Sequence, residues 1–221
     1  MNVIEALKRR KSVRAFLDKT VSNETIHTLL EAARYAPSGT NTQPWQVAVV
    51  KGKSKLELQD KIETAFRNGD RGKADFDYYP KEWISPFKDR RKECGLLMYS
   101  TLEIKREDKE KQMDQWAANY RAFDAPVMLL FFMNSIMERG SFMDYGMFLQ
   151  SIMLAAEDLG LATCPQASLA DYPHIIKPAL KIEEDTTLLC GIALGYEDKK
   201  ALVNSYRTSR LAVDEFTQFF D

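Results

Sequence analysis

Val127 to Met133 form the longest unbroken apolar run in the chain, seven residues with no polar side chain among them. Such a run has no face to offer water, so it is read as a strand buried on both sides, central in its sheet, that starts after Pro126. It falls far short of the roughly 20 apolar residues that a membrane-crossing helix needs, so no span is expected. The next periodic segment supplies a partner. Tyr145, Phe148, Leu149, Ile152, Ala155, Ala156 and Leu159 recur at helical intervals, and Gly160 sits where a helix-ending glycine belongs.

The remaining elements are shorter. Val3, Ile4 and Leu7 follow helical spacing and run into Lys8 to Lys11, cations suited to a helix C-terminus. Ser22 can cap a helix with the apolar face Ile26, Leu29, Leu30 and Ala33, which stops before Pro37. Val47 to Val50 reads as a buried strand, 55–66 as a helix, 68–88 as irregular and aromatic, and 89–118 as mainly helical. Within that last stretch the charged run Glu103 to Lys111 is taken as a solvated face. An extended piece is expected at 161–166, a helix at 172–179 and an apolar strand from Thr186 to Leu194. This order suits one sheet covered by helices on both faces.

Composition and missing motifs then narrow the chemistry. A hydrophobic share of 45% supports a sizeable core, and a net charge of -1 lacks the basic excess of a nucleic-acid binder. The N-terminal stretch has no extended apolar segment, so no secretory signal is read and a cytoplasmic location is expected. Cys94, Cys164 and Cys190 are far apart and form no C-x-x-C pair, which suggests three buried, reduced thiols. His27 and His174 do not stand at metal-ligand spacing, so no metal is expected. G-x-S-x-G, G-x-x-x-x-G-K-[ST] and G-x-G-x-x-G are all absent. An enzyme built from this chain would borrow its reactivity from a cofactor.

Two segments could hold one. Arg9 to Phe16 is a basic cluster in a balanced chain; Arg forks and the Ser12 hydroxyl suit phosphate oxygens, though cations also decorate helix C-termini. Ala36 to Trp45 is a polar turn stiffened by Pro37, Gly39 and Pro44. Its Ser38, Asn41 and Gln43 could read a flat heteroaromatic edge or could bond only their own backbone.

Together, RRKSVRAF and APSGTNTQPW at this spacing resemble the N-terminus of the FMN-dependent nitroreductase family, which shows R-R-S-x-R-x-F followed by A-P-S-x-x-N-x-Q-P-W. Leu159 to Ala167, Cys190 to Tyr196 and Tyr206 to Arg210 are similar to later parts of that family, and residues 51–120 resemble it least. The resemblance implies an α+β fold, a nitroreductase-like mixed sheet flanked by helices, with residues 1–221 forming a single FMN-binding domain in an intertwined homodimer. It implies that Arg10, Lys11, Ser12 and Arg14 hold the phosphate, ribityl chain and pyrimidine edge of FMN, with Arg210, and less directly Arg207, at the phosphate. Lys11 departs from the motif at a position that works through its backbone. Pro37, Ser38, Gly39 and Asn41 would line the same flavin from the partner subunit. Pro165, Gln166 and Ala167 would run along the isoalloxazine, with backbone N–H groups facing N5 and O4.

The implied activity is reduction of nitroaromatic or quinone-type small-molecule acceptors, with NADPH or NADH as reductant, in a ping-pong cycle that needs no catalytic side chain. Same-fold alternatives are dehalogenation, flavin fragmentation or an oxidase reaction; outside the family, a non-enzymatic helical interaction protein would use the basic cluster only as a helix cap. Tyr78 to Phe87 is read as a substrate lid or as an arm packed on a dimer partner, and Phe123 as a pocket wall.

Overall fold

The computed structural model describes residues 1–220. In chain order the elements are α1 (Val3–Arg9), α2 (Asn23–Ala33), β1 (Gln46–Lys51), α3 (Gly52–Arg67), α4 (Phe87–Thr101), α5 (Lys109–Ala117), β2 (Val127–Asn134), α6 (Arg139–Asp158), β3 (Ala162–Gln166), α7 (Pro173–Leu180) and β4 (Thr186–Gly195). Local chemistry sets several boundaries. Ser22 Oγ accepts from the Thr25 N–H at 3.0 Å and so starts α2. Gly160, at φ +71°, carries the chain away from α6 in the left-handed region that glycine enters without strain.

The strands lie in the order β1-β2-β4-β3, and every strand pair is antiparallel. The parallel component of the expected mixed sheet is one bridge, Ser12 to Thr163, through which the basic N-terminal segment lies against β3. β2 divides the interior by alternation. Val127, Leu129, Phe131 and Met133 pack with Leu29 of α2 and with Phe148 and Ile152 of α6. Met128, Leu130 and Phe132 pack with Leu58 and Ile62 of α3 and with Ile176 of α7. The unbroken apolar run thus serves a strand with a core on each face. Opposite Phe131 and Phe132 the register of β4 slips from Cys190 to Leu188, which leaves Leu189 as a bulge residue.

The irregular segment after α3 is tied to the sheet by polar contacts. Lys177, 5% exposed, donates to the Thr186 carbonyl at 2.6 Å and pairs with Asp75 at 3.0 Å. The same Asp75 carboxylate oxygen accepts from the Leu188 N–H at 2.8 Å, next to the bulge. Gly72, at φ +65°, presses so closely on residue 171 that a Cβ would stand 2.1 Å from the Asp171 carbonyl oxygen. Only glycine permits this approach. Tyr172 adds a hydroxyl bond to the Asp70 carbonyl at 2.7 Å.

Three expectations from sequence need correction. Val47 to Val50 is not a buried strand: β1 is an edge strand in which only Val50 is buried. Glu103 to Lys111 is not one helical face: α4 ends at Thr101, Glu103 takes φ +54°, Asp108 Oδ2 accepts from the Lys105 N–H, and α5 begins at Lys109. Without an apolar stripe the charged run has nothing to hold it on the protein as a helix, and an aspartate turn replaces two turns of it. Cys164 and Cys190 are buried, but Cys94 is exposed, because α4 buries none of its residues in this chain. No helix among the described residues is long and apolar enough to cross a membrane.

Candidate functional site

The chain leaves α1 at Arg10, whose N–H still bonds to the Ala6 carbonyl at 2.9 Å, and continues extended along β3, with the Val13 N–H donating to the Thr163 carbonyl at 3.0 Å. Asn204 holds this segment from the other side. Its Oδ1 accepts from the Arg14 N–H at 2.8 Å, and its Nδ2 donates to the Ala15 and Asp198 carbonyls, each at 2.9 Å. At 3% exposure Asn204 is a buried clasp with its donors and acceptor engaged. The clasp brings the two ends of the chain together, and a cavity of about 670 Å³ opens between them, lined by Arg10, Lys11, Ser12, Arg14, Arg207 and Arg210 among others.

The charges of this cavity are unbalanced. Among the described residues, Arg10, Arg14, Arg207 and Arg210 form no ion pair, although ten acidic side chains of the chain stand in ion pairs with other cationic groups. Burial, and then the facing guanidiniums of Arg210 and Arg207, push the Arg10 pKa below its ordinary value. Arg207 donates to the Arg10 carbonyl at 2.7 Å, and Arg210 donates to Thr208 Oγ1 at 2.7 Å. Lys11 behaves differently from its neighbours: its ammonium is engaged by Glu197 and by the Asn204 carbonyl, each at 2.7 Å, so its charge is already balanced. A helix cap would need no arginine from a segment 197 residues away in sequence. Guanidiniums gathered without a carboxylate suit a multiply charged oxyanion, and phosphate on FMN meets that requirement.

Arg14 also lines a second cavity of about 670 Å³, which is aromatic in character. Its Nη1 lies 3.3 Å from the Ser12 carbonyl and 3.4 Å from the Tyr206 hydroxyl, and its guanidinium stands 5.8 Å from the centre of the Phe123 ring. Pro165, Gln166 and Ala167 line this cavity together with Phe123, Tyr78 and Tyr79. The stretch read as lid or arm therefore begins as a wall of this chain's own cavity. Pro165 has no N–H, so a backbone donor from this loop can come only from Gln166 or Ala167. The Gln166 amide donates to the Asn119 carbonyl at 2.8 Å, while its Oε1 is buried without a partner. Ala122, Phe123 and Asp124 all adopt positive φ, of 51°, 53° and 58°, so the cavity wall is built on backbone that side chains rarely accept.

The two buried thiols nearby are held in their neutral form. Burial pushes the Cys164 thiol up to about 11 and the Cys190 thiol up to about 12, which keeps both protonated. Asp171, on the rim of the aromatic cavity, is raised to about 6 by burial. The loop from Pro37 to Asn41 lines neither cavity in a single chain. It is nevertheless stiff: the Gly39 N–H donates to Asp144 at 3.1 Å, the Gln43 N–H donates to Ser38 Oγ at 2.9 Å, and Thr40, Asn41 and Gln43 all carry positive φ.

The Asn204 clasp and the left-handed backbone that carries Phe123 at 122–124 escape sequence reading. Asn204 sits near the basic cluster only through the fold, and the turn has no glycine to mark it.

The model of the nitroreductase family matches residues 7–196. A 4-nitrobenzoate reductase of Pseudomonas putida is 36% identical over 210 residues, which cover 95% of this chain and 92% of the relative. Among solved structures, an FMN- and NADPH-dependent nitroreductase, NfnB, from sphigopyxis sp. strain HMH superposes with a TM-score of 0.96 at 37% identity, with both chains wholly covered. The FMN-dependent nitroreductase NfnB from Mycobacterium smegmatis, in complex with NADPH, gives a TM-score of 0.93 at 33% identity, again with both chains wholly covered.

Proposed function

The chain belongs to the nitroreductase family, and on that premise we propose that it is an FMN-dependent oxidoreductase that uses NAD(P)H to reduce nitroaromatic or quinone-type acceptors in the cytoplasm. The observation that carries the reading is that Arg14 lines both a cavity of unpaired guanidiniums and an aromatic cavity walled by Phe123 and the Pro165–Ala167 loop. When bound, FMN supplies the hydride-accepting and hydride-donating centre that no side chain here can provide. The protein's own part is placement. Arg10, Ser12 and Arg210 would hold the phosphate, with Arg207 beside them and the backbone at Lys11 completing the wall. Arg14, at the junction of the two cavities, would place a fixed positive charge where the ring system carries electrons. Cys164, His27 and His174 take no part in proton transfer: the first is a buried neutral thiol, and neither histidine lines either of the two cavities.

Reductant and acceptor would occupy the aromatic cavity in turn. Initial-rate plots at several fixed acceptor concentrations should therefore give parallel lines; intersecting lines would refute the shared cavity.

Pro37, Ser38, Gly39 and Asn41 would complete the site from a second copy of the chain. In support, α6 exposes Met143 (72%) and Met147 (40%), α1 exposes Val3 and Ile4, and the C-terminal segment exposes Phe216, Phe219 and Phe220. So much apolar surface on one chain calls for a partner, and obligate homodimers commonly bury upwards of about 2,000 Å². Light scattering at micromolar concentration should give twice the 25.4 kDa chain mass. A monomer that still holds FMN would overturn the two-chain site.

A further inference from the structure

Two arginines of the aromatic cavity remain without a role after the cofactor is placed. Arg71, in the irregular segment, and Arg91, on α4, both line it. Neither forms an ion pair or a side-chain hydrogen bond among the described residues, although Arg67 and Arg121 close by share Glu63. The two carboxylates of the same cavity, Asp77 and Asp171, leave them unpaired too. Each guanidinium instead lies over an aromatic ring: Arg71 is 5.6 Å from the centre of Phe66, and Arg91 is 5.2 Å from the centre of Trp83. Stacking uses the face of a guanidinium and leaves its N–H edges free. It also reduces the freedom lost when those edges take up a ligand.

We propose that Arg71 and Arg91 form an anion clamp at the mouth of the aromatic cavity, which takes an oxyanion carried by one of the two reactants. This rests on the function proposed above and names a property of that site, a preference for charged reactants over neutral ones of the same shape. The oxyanion is either a carboxylate on the nitroaromatic acceptor or the additional phosphate that distinguishes NADPH from NADH. Both present oxygens that an arginine edge can bind in pairs. The clamp is separate from Arg10, Arg207 and Arg210, which line the other cavity, and from Arg14, which lines both.

The test compares kcat/KM for 4-nitrobenzoate with that for nitrobenzene, and for NADPH with that for NADH, in the yellow wild-type enzyme and in Arg71→Gln, Arg91→Gln and Arg91→Lys. The charged-to-neutral ratio in one arm should fall about tenfold in each glutamine variant, the scale of one charge-assisted hydrogen bond. Arg91→Lys should recover part of it, and added salt should lower the wild-type ratio. A fall confined to the nitroarene arm identifies the carboxylate, and a fall confined to the nucleotide arm identifies the phosphate. Ratios within twofold of wild type in both arms, or equal loss with charged and neutral reactants, would overturn the clamp. Because FMN content is measured on the same samples, a colourless wild type would instead sink the functional reading on which the clamp depends.

Discussion

Replacing Arg10 and Arg14 together with alanine should strip the protein of most of its FMN, with the purified variant nearly colourless beside a yellow wild type. Charge-assisted hydrogen bonds contribute about 1.5–3 kcal/mol each, so losing two should weaken flavin binding by about two to four powers of ten. The guanidiniums of this cavity repel one another without an ion-paired carboxylate among them, and the Arg10 pKa is lowered by burial first and then by Arg210 and Arg207. Removing two of them should therefore not lower the melting temperature of the flavin-free protein. This sign separates the phosphate role from a helix-capping role. If the cations served only the C-terminus of α1, the variant would keep its flavin and lose stability. Flavin content and flavin-free melting temperature, read on the same preparation, decide between the two.

The second large effect concerns the wall of the aromatic cavity. Lys177→Met should destabilise the protein by about 3 kcal/mol, because it leaves Asp75 without its cation and the Thr186 carbonyl without its donor. For a chain of this size that corresponds to a drop of about 6–12 °C in melting temperature. The damage should be uneven. Asp75 holds the irregular segment to β4 through Leu188, so the stretch leading to Tyr78 and Tyr79 should become open to limited proteolysis before the sheet does. A variant that melts within 2 °C of wild type, with its proteolytic pattern unchanged, would show that Gly72 and Tyr172 anchor the segment without the ion pair.

These two sites also show where sequence reading succeeds and where it stops. β2 was legible because seven apolar residues in a row leave only one kind of place for a strand. α2 and α6 were legible because a capping serine and a terminal glycine act within a few residues of themselves. The basic cluster was visible as composition, but its arginines became a site only once the fold brought 207–210 to 10–14, which local spacing does not encode. The Asn204 clasp and the Lys177–Asp75 pair were unreadable for the same reason: each joins segments about 100 residues or more apart. The turn at 122–124 was missed because Ala122, Phe123 and Asp124 hold left-handed backbone without the glycine that would announce it. The Glu103–Lys111 stretch is solvated as its charge implies, but it is not continuous helix, because charge density marks exposure, not helix.

The most direct test of the proposed function is to follow the bound flavin through one cycle. Purified protein, held without oxygen, should bleach with one equivalent of NADPH or NADH per chain. Its yellow colour should return when 4-nitrobenzoate or nitrobenzene is added. A colourless protein, or a bleached flavin that halogenated acceptors or oxygen reoxidise but nitroarenes do not, would contradict the assignment.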